Sequence, residues 1–139
     1  MGLKDRAKKA TEANLNSSAL TEGREKIKLE ELVAIAGNKL HIDGVDILQV
    51  NDKDQDGNKI KRDAAAMTVT EDQKHWTFGG ALLSSIINEW RYPSDQDTEA
   101  LTLDQINNEL RKDPLLVKIE KRSQKNDPRK TYWHYEIMD

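Results

Sequence analysis

Lys39-Leu40-His41-Ile42-Asp43-Gly44-Val45-Asp46-Ile47-Leu48-Gln49-Val50 changes phase in its middle. Leu40 and Ile42 alternate on one parity, Val45 and Ile47 on the other, and Gly44 stands between the pairs. A strand whose inward face switches at a glycine carries a bulge or a sharp bend. Such a bend lets one long strand serve two sheets, as at the corner of a small barrel.

The flanks of this stretch supply the other elements. Ile27 to Ala36 has helical spacing and is closed by Gly37. Asn51 to Arg62 is polar and ends the bent strand. Ala64 to Thr70 alternates with Ala65, Met67 and Val69 on one face, Glu71 to Lys74 reads as a turn, and His75 to Phe78 is a short strand before Gly79-Gly80. From Ala81 to Trp90, a stripe of Leu82, Leu83, Ile86, Ile87 and Trp90 predicts a helix bounded by Pro93. A second helix runs from Thr102, as N-cap, to Arg111, with Leu103, Ile106 and Leu110 inward. Leu115 to Glu120 and Thr131 to Met138 are strands, joined through a turn at Lys125 to Arg129. Three strands, a helix, a further helical segment and two strands predict a mainly β protein with helices (α+β). The expected architecture is a five-stranded Greek-key barrel of the OB type, with a helix between strands 3 and 4. The domain is expected over residues 23–139, behind a flexible tail over residues 1–22 in which no apolar stripe runs.

Composition narrows the function. The chain has 139 residues, 36% hydrophobic and 34% charged, so it has room for one domain and one core. Mean hydropathy is −0.84, yet apolar residues cluster in short periodic runs, unlike a disordered chain. Cysteine is absent, which removes disulfides, thiolate nucleophiles and zinc–thiolate sites. Neither a membrane-length apolar run nor a signal-peptide core is present, so a cytoplasmic protein without membrane partners is expected. The net charge of −3 is unevenly spread. Residues 91–114 hold three basic and six acidic side chains, whereas residues 117–135 hold six basic and two acidic ones. Binding of nucleic acid depends on such local potential.

Two constellations stand out. Asp52, Asp54 and Asp56 with Gly57 match the opening of an EF-hand loop. Lys59 then stands where an apolar residue belongs, Asp63 where a glutamate belongs, and the flanks read as strands. A hairpin loop with Asp56-Gly57 as its turn is the simpler reading. In an OB barrel this loop joins strands one and two, where Lys59, Lys61 and Arg62 can reach phosphates. The second constellation is aromatic: five of the seven Phe, Trp and Tyr residues fall in two short strands, Trp76 and Phe78, then Tyr132, Trp133 and Tyr135. Rings beside cations are what single-stranded nucleic acid needs, although aromatics also favour strands and cores. On the last strand, either Tyr132 and His134 or Trp133 and Tyr135 face water. Expected phosphate contacts are Lys59, Lys61, Arg62, Lys118, Lys121, Arg122, Lys125, Arg129 and Lys130. Expected base contacts come from His75, Trp76, Tyr132, Trp133 and Tyr135.

No catalytic motif is present. G-x-S-x-G, a glycine-rich lysine loop and H-E-x-x-H are missing, and His41, His75 and His134 have no metal spacing. No enzyme activity, cofactor or metal is expected. A winged-helix module for duplex DNA, with 102–111 as recognition helix and 115–138 as wing, is one alternative. A calcium-responsive interaction adaptor is another.

Lys39 to Asp46, Thr68 to Asp72 and Trp76 to Leu83 together resemble small OB-fold single-stranded-DNA-binding proteins of Gram-positive conjugative plasmids and phages. The resemblance covers about residues 25–138. It implies sequence-independent coating of single-stranded DNA during plasmid transfer or phage and plasmid replication. It also implies an array held by self-association through residues 1–22. The acidic, partner-recruiting tip of the housekeeping homologues is not expected, because Tyr135 to Asp139 read as strand.

Overall fold

The computed structural model describes residues 20–138 together with Leu3. Most of the proposed tail, and with it the expected self-association through residues 1–22, lies outside the described residues. Residues 20–23 form a turn in which the Arg24 N–H donates to the Thr21 carbonyl at 3.0 Å.

The elements are β1 (Glu25–Lys26), α1 (Leu29–Ala36), β2 (Lys39–Lys53), β3 (Lys59–Val69), β4 (Asp72–Phe78), α2 (Gly80–Arg91), α3 (Leu103–Lys112), β5 (Leu115–Ser123) and β6 (Thr131–Ile137). The protein is mixed α+β. Its six strands form one sheet in the order β1-β4-β3-β2-β5-β6. All neighbours are antiparallel except β1 and β4.

The expected barrel of five strands is corrected on two counts. A sixth strand, β1, pairs Glu25 with His75 and Lys26 with Trp76 along the outer edge of β4. That is the edge on which β6 would close a five-stranded barrel, so the sheet stays open. Instead, β6 reaches the end of β4 through one side chain: the buried Tyr135 hydroxyl donates to the Gly79 carbonyl at 2.7 Å. The expected helix between the third and fourth strands is present twice, as α2 and α3 between β4 and β5.

The bend at Gly44 is present. The β2–β3 register shifts between Ile42 and Gly44, so Leu40, Ile42 and Val45 all reach full burial despite their opposite parities. Gly44 also permits close approach, because a Cβ there would strike Leu20 Cδ1 and lie 2.8 Å from Thr68 Oγ1. Beyond the bend β2 leaves β5, which pairs only with Lys39 to Ile42. The vacated edge is taken by α3. Asn107 accepts from the Val45 N–H at 2.8 Å and donates to the Val45 carbonyl at 2.9 Å, as a neighbouring strand would. A reciprocal capping box fixes the start of α3, with Gln105 N–H donating to Thr102 Oγ1 at 3.2 Å and Thr102 N–H to Gln105 Oε1 at 2.9 Å.

The segment expected as a polar loop, Asn51 to Arg62, is also corrected. Strands run through most of it, pairing Asn51 with Lys61 and Lys53 with Lys59, and only residues 54–58 turn. Asp54 Oδ1 accepts from the Asp56 and Asn58 N–H groups at 3.0 and 2.8 Å, and Gly57 takes φ +81°. Cross-strand pairing satisfies the backbone here, and side-chain polarity shows only that the arm is wet. Leu83 and Ile87 of α2 are fully buried beside Met67, Ile119 and Tyr135 in one core. Among the described residues, no helix is long and apolar enough to cross a membrane.

Replacing Gly44 with Val should lower unfolding stability by about 1–3 kcal/mol, because the added carbons must displace Leu20 and Thr68. Urea denaturation with an unchanged slope is the measurement.

Candidate functional site

Strand alternation sorts the side chains of the sheet onto two faces. Ala65, Met67, Val69 and Thr77 point into the core, so Ala64, Ala66, Thr68, Trp76 and Phe78 point out of it. On β2 the outward set after the bend is Gly44, Asp46, Leu48 and Val50, facing Thr68, Ala66, Ala64 and Arg62 in register. The outer face of β2–β4 thus carries small residues beside two rings, and Ala66 and Thr68 on it are buried.

Those rings are half-buried and fixed. Trp76 and Phe78 meet edge to face, with centroids 5.0 Å apart at 80°. Lys26 of β1 places its Nζ 5.0 Å above the Phe78 ring. Across the open side of the sheet, Lys121 Nζ lies 5.8 Å from the Trp133 ring. A hollow of about 410 Å³ joins these two ring–cation pairs and is also lined by Lys28 and Gly80. A second hollow of about 490 Å³ shares Phe78 and Gly80 and continues past Ala64 to Val50 and Arg62. Together they make one groove from the β2–β3 arm, past Phe78, to the β5–β6 hairpin.

Of the expected contacts, the groove gathers Arg62, Lys121 and Trp133, and Trp76 stands outside its lining, against the edge of Phe78. Arg62 Nε is held by Asp52 at 3.2 Å, and Lys121 by Glu30 at 3.7 Å. Lys59 and Lys61 lie on the exposed arm, on the opposite parity from Arg62. Lys125, Arg129 and Lys130 lie at the exposed β5–β6 connection, with Arg129 bound to Asp127 at 3.5 Å.

The others are not in the groove. Lys118, Arg122 and Tyr132 point from the opposite face of the β5–β6 hairpin to Lys121 and Trp133. There Glu120 bridges Lys118 at 3.0 Å and Arg122 at 3.1 Å, and these two bonds hold its carboxyl below the usual range. His75 is corrected as a stacking residue: it shares the parity of buried Thr77, and its Nδ1 is bound to Asp72 at 2.7 Å. Burial works to raise the Asp72 carboxyl, but the His75 bond and the Lys74 N–H together bring it below its ordinary value.

Tyr135 is corrected likewise. Its ring is only 7% exposed, and burial raises its phenol. The alternative left open for β6 resolves as Trp133 and Tyr135 inward, with Tyr132 and His134 outward.

Phe78 and Lys26 were not among the expected contacts. The signal for Phe78 was its two-residue spacing from Trp76. Lys26 carried none, because its strand is two residues long.

Asp46 lies on the same outer face. Burial raises its carboxyl, the Ile47 N–H bond partly offsets this, and Asp104 of α3 raises it further. Asp52, Asp54 and Asp56 do not form a calcium site: Asp52 is committed to Arg62 and Asp54 to the turn. No group of three or more His, Cys, Asp or Glu among the described residues could hold a metal ion.

Two outcomes follow from these placements. Tyr135→Phe should cost about 1 kcal/mol of stability, the net value of one buried hydrogen bond, and change tryptophan emission little. Asp46→Asn should melt at a higher temperature than wild type at pH 7, because the folded state disfavours the ionised carboxylate. The penalty on wild type develops as pH rises from the ordinary value of 3.8 through the raised folded value. The gain should therefore vanish in melts recorded well below pH 3.8.

No protein family, curated protein or solved structure matches the chain.

Proposed function

We propose that the protein is a non-enzymatic, sequence-independent binder of single-stranded DNA, built on an open variant of the OB arrangement. The pairing of β3 and β5 on either side of β2, of β4 on β3 and of β6 on β5 follows the OB order, with closure between β4 and β6 missing. The observation that carries the reading is the groove in which Phe78 and Trp133 each stand beside a lysine, Lys26 and Lys121. Rings offer bases a stacking surface that every base can use, and the adjacent ammonium groups meet the phosphates between them. A single strand can lay its bases on the rings, whereas a duplex keeps its bases stacked inside.

The winged-helix alternative is less favoured. The buried side of α3 serves the core through Ile106 and Leu110, and Asn107 is spent on Val45. Its exposed positions include Asp104 and Glu109, which repel phosphate. Coating DNA in plasmid transfer or phage and plasmid replication, in the cytoplasm, is the setting proposed for this activity.

Titration with oligo-dT at low salt should quench tryptophan emission, with weaker binding as salt rises. Duplex of the same length should bind less. Phe78→Ala should reduce affinity by about 1–3 kcal/mol, roughly 5- to 150-fold, if a base stacks there. Absence of quenching and of gel retardation at low salt would reject the function.

A further inference from the structure

We infer that Asp46 is a specificity-determining residue that ends the polynucleotide track on the outer face of the sheet. The inference rests on the reading of the groove as a single-stranded-DNA interface. Asp46, Ala66 and Phe78 lie in one row across β2, β3 and β4. Neighbouring strands are spaced by about 4.8 Å, so the backbones of Asp46 and Phe78 are roughly 10 Å apart. Ala66 between them is fully buried, so Asp46 and Phe78 are the two side chains of this row that reach the surface.

Nothing neutralises this carboxylate. Asp46 Oδ1 accepts from the Ile47 N–H at 2.8 Å, and no lysine, arginine or histidine among the described residues pairs with it. Asp104 adds a second negative charge from α3. One step further along the face, Leu20 packs close over Gly44 and Thr68. Asp43 binds the Thr68 hydroxyl at 2.6 Å. A strand stacked on Phe78 therefore meets negative charge and then a covered surface on this side, but cationic side chains towards Lys26, Lys121 and Arg62. Asp46 turns the strand into the groove and keeps the binding site short.

The test compares wild type, Asp46→Asn and the exposed-site variant Asp104→Asn by tryptophan titration with oligo-dT at low salt. Asparagine keeps the oxygen that accepts from Ile47. Repulsion between one phosphate and one carboxylate at about 10 Å, in a largely aqueous dielectric, corresponds to about two- to fourfold in affinity. Asp46→Asn should bind tighter by that factor and Asp104→Asn by less. Both gains should shrink above about 0.1 M salt, where the screening length falls to roughly 10 Å. Unchanged or weaker binding by Asp46→Asn would overturn the inference, even with Phe78→Ala losing affinity in the same assay and so upholding the interface. Wild type that does not bind oligo-dT at all would remove the interface itself and the end-stop with it.

Discussion

The fold turns on β2, the one strand paired with both β3 and β5, and on its register shift at Gly44. A regular strand would send Leu40 and Ile42 to the core and Val45 and Ile47 to water. The shift places all four on the core side, and the strand changes neighbours at the same point. Before the bend its free edge binds β5; after it, Asn107 of α3 supplies the missing donor and acceptor at Val45. One irregularity thus determines where the sheet turns, where α3 docks and which side chains of β2 face outward. Gly44 is required because Leu20 and Thr68 occupy the space a side chain would need.

A second constraint keeps the sheet open. With β1 on β4, backbone closure by β6 is unavailable, and the join falls to Tyr135 and its bond to the Gly79 carbonyl. Gly79 allows that approach, since a Cβ there would lie 2.8 Å from the tyrosine hydroxyl. The opening leaves Trp133 only partly covered, facing Phe78 and Lys26 across a hollow that a closed barrel would fill with ladder bonds. The candidate interface is therefore a product of incomplete closure.

Periodicity revealed what depends on neighbours in the chain. The bent strand, the stripe of α2 and the Thr102 cap of α3 were legible because each is a local pattern of apolar or capping residues. Pairing across long separations was not. Glu25-Lys26 carries no apolar alternation, and its strand exists only because β4 offers an unpaired edge. Residues 51–53 and 59–62 looked like loop because both faces of the arm are wet, which removes the alternation that marks a strand. The aromatic-plus-basic signal included Trp133, Lys121 and Arg62, which line the two hollows. It could not separate the two faces of β6, and so it included Tyr135, which serves the core, and Tyr132, which faces the other way.

The basic count of the β5–β6 hairpin also overstated its usable charge. Lys118 and Arg122 share Glu120, Arg129 has Asp127, and Lys121 has Glu30. A phosphate approaching these side chains must displace a carboxylate partner, and the exchange returns less free energy than pairing with an unpaired cation. Exposed ion pairs are individually weak, so they open readily, but each one opened lowers the net gain. Lys26 has no such partner among the described residues and sits against a ring. The affinity of the groove should therefore depend more on its rings than on the number of cations around it. Within the groove, charge that no carboxylate among the described residues pairs lies on Lys26, against Phe78, and on Lys28, with Phe78 two strands from the carboxylate of Asp46.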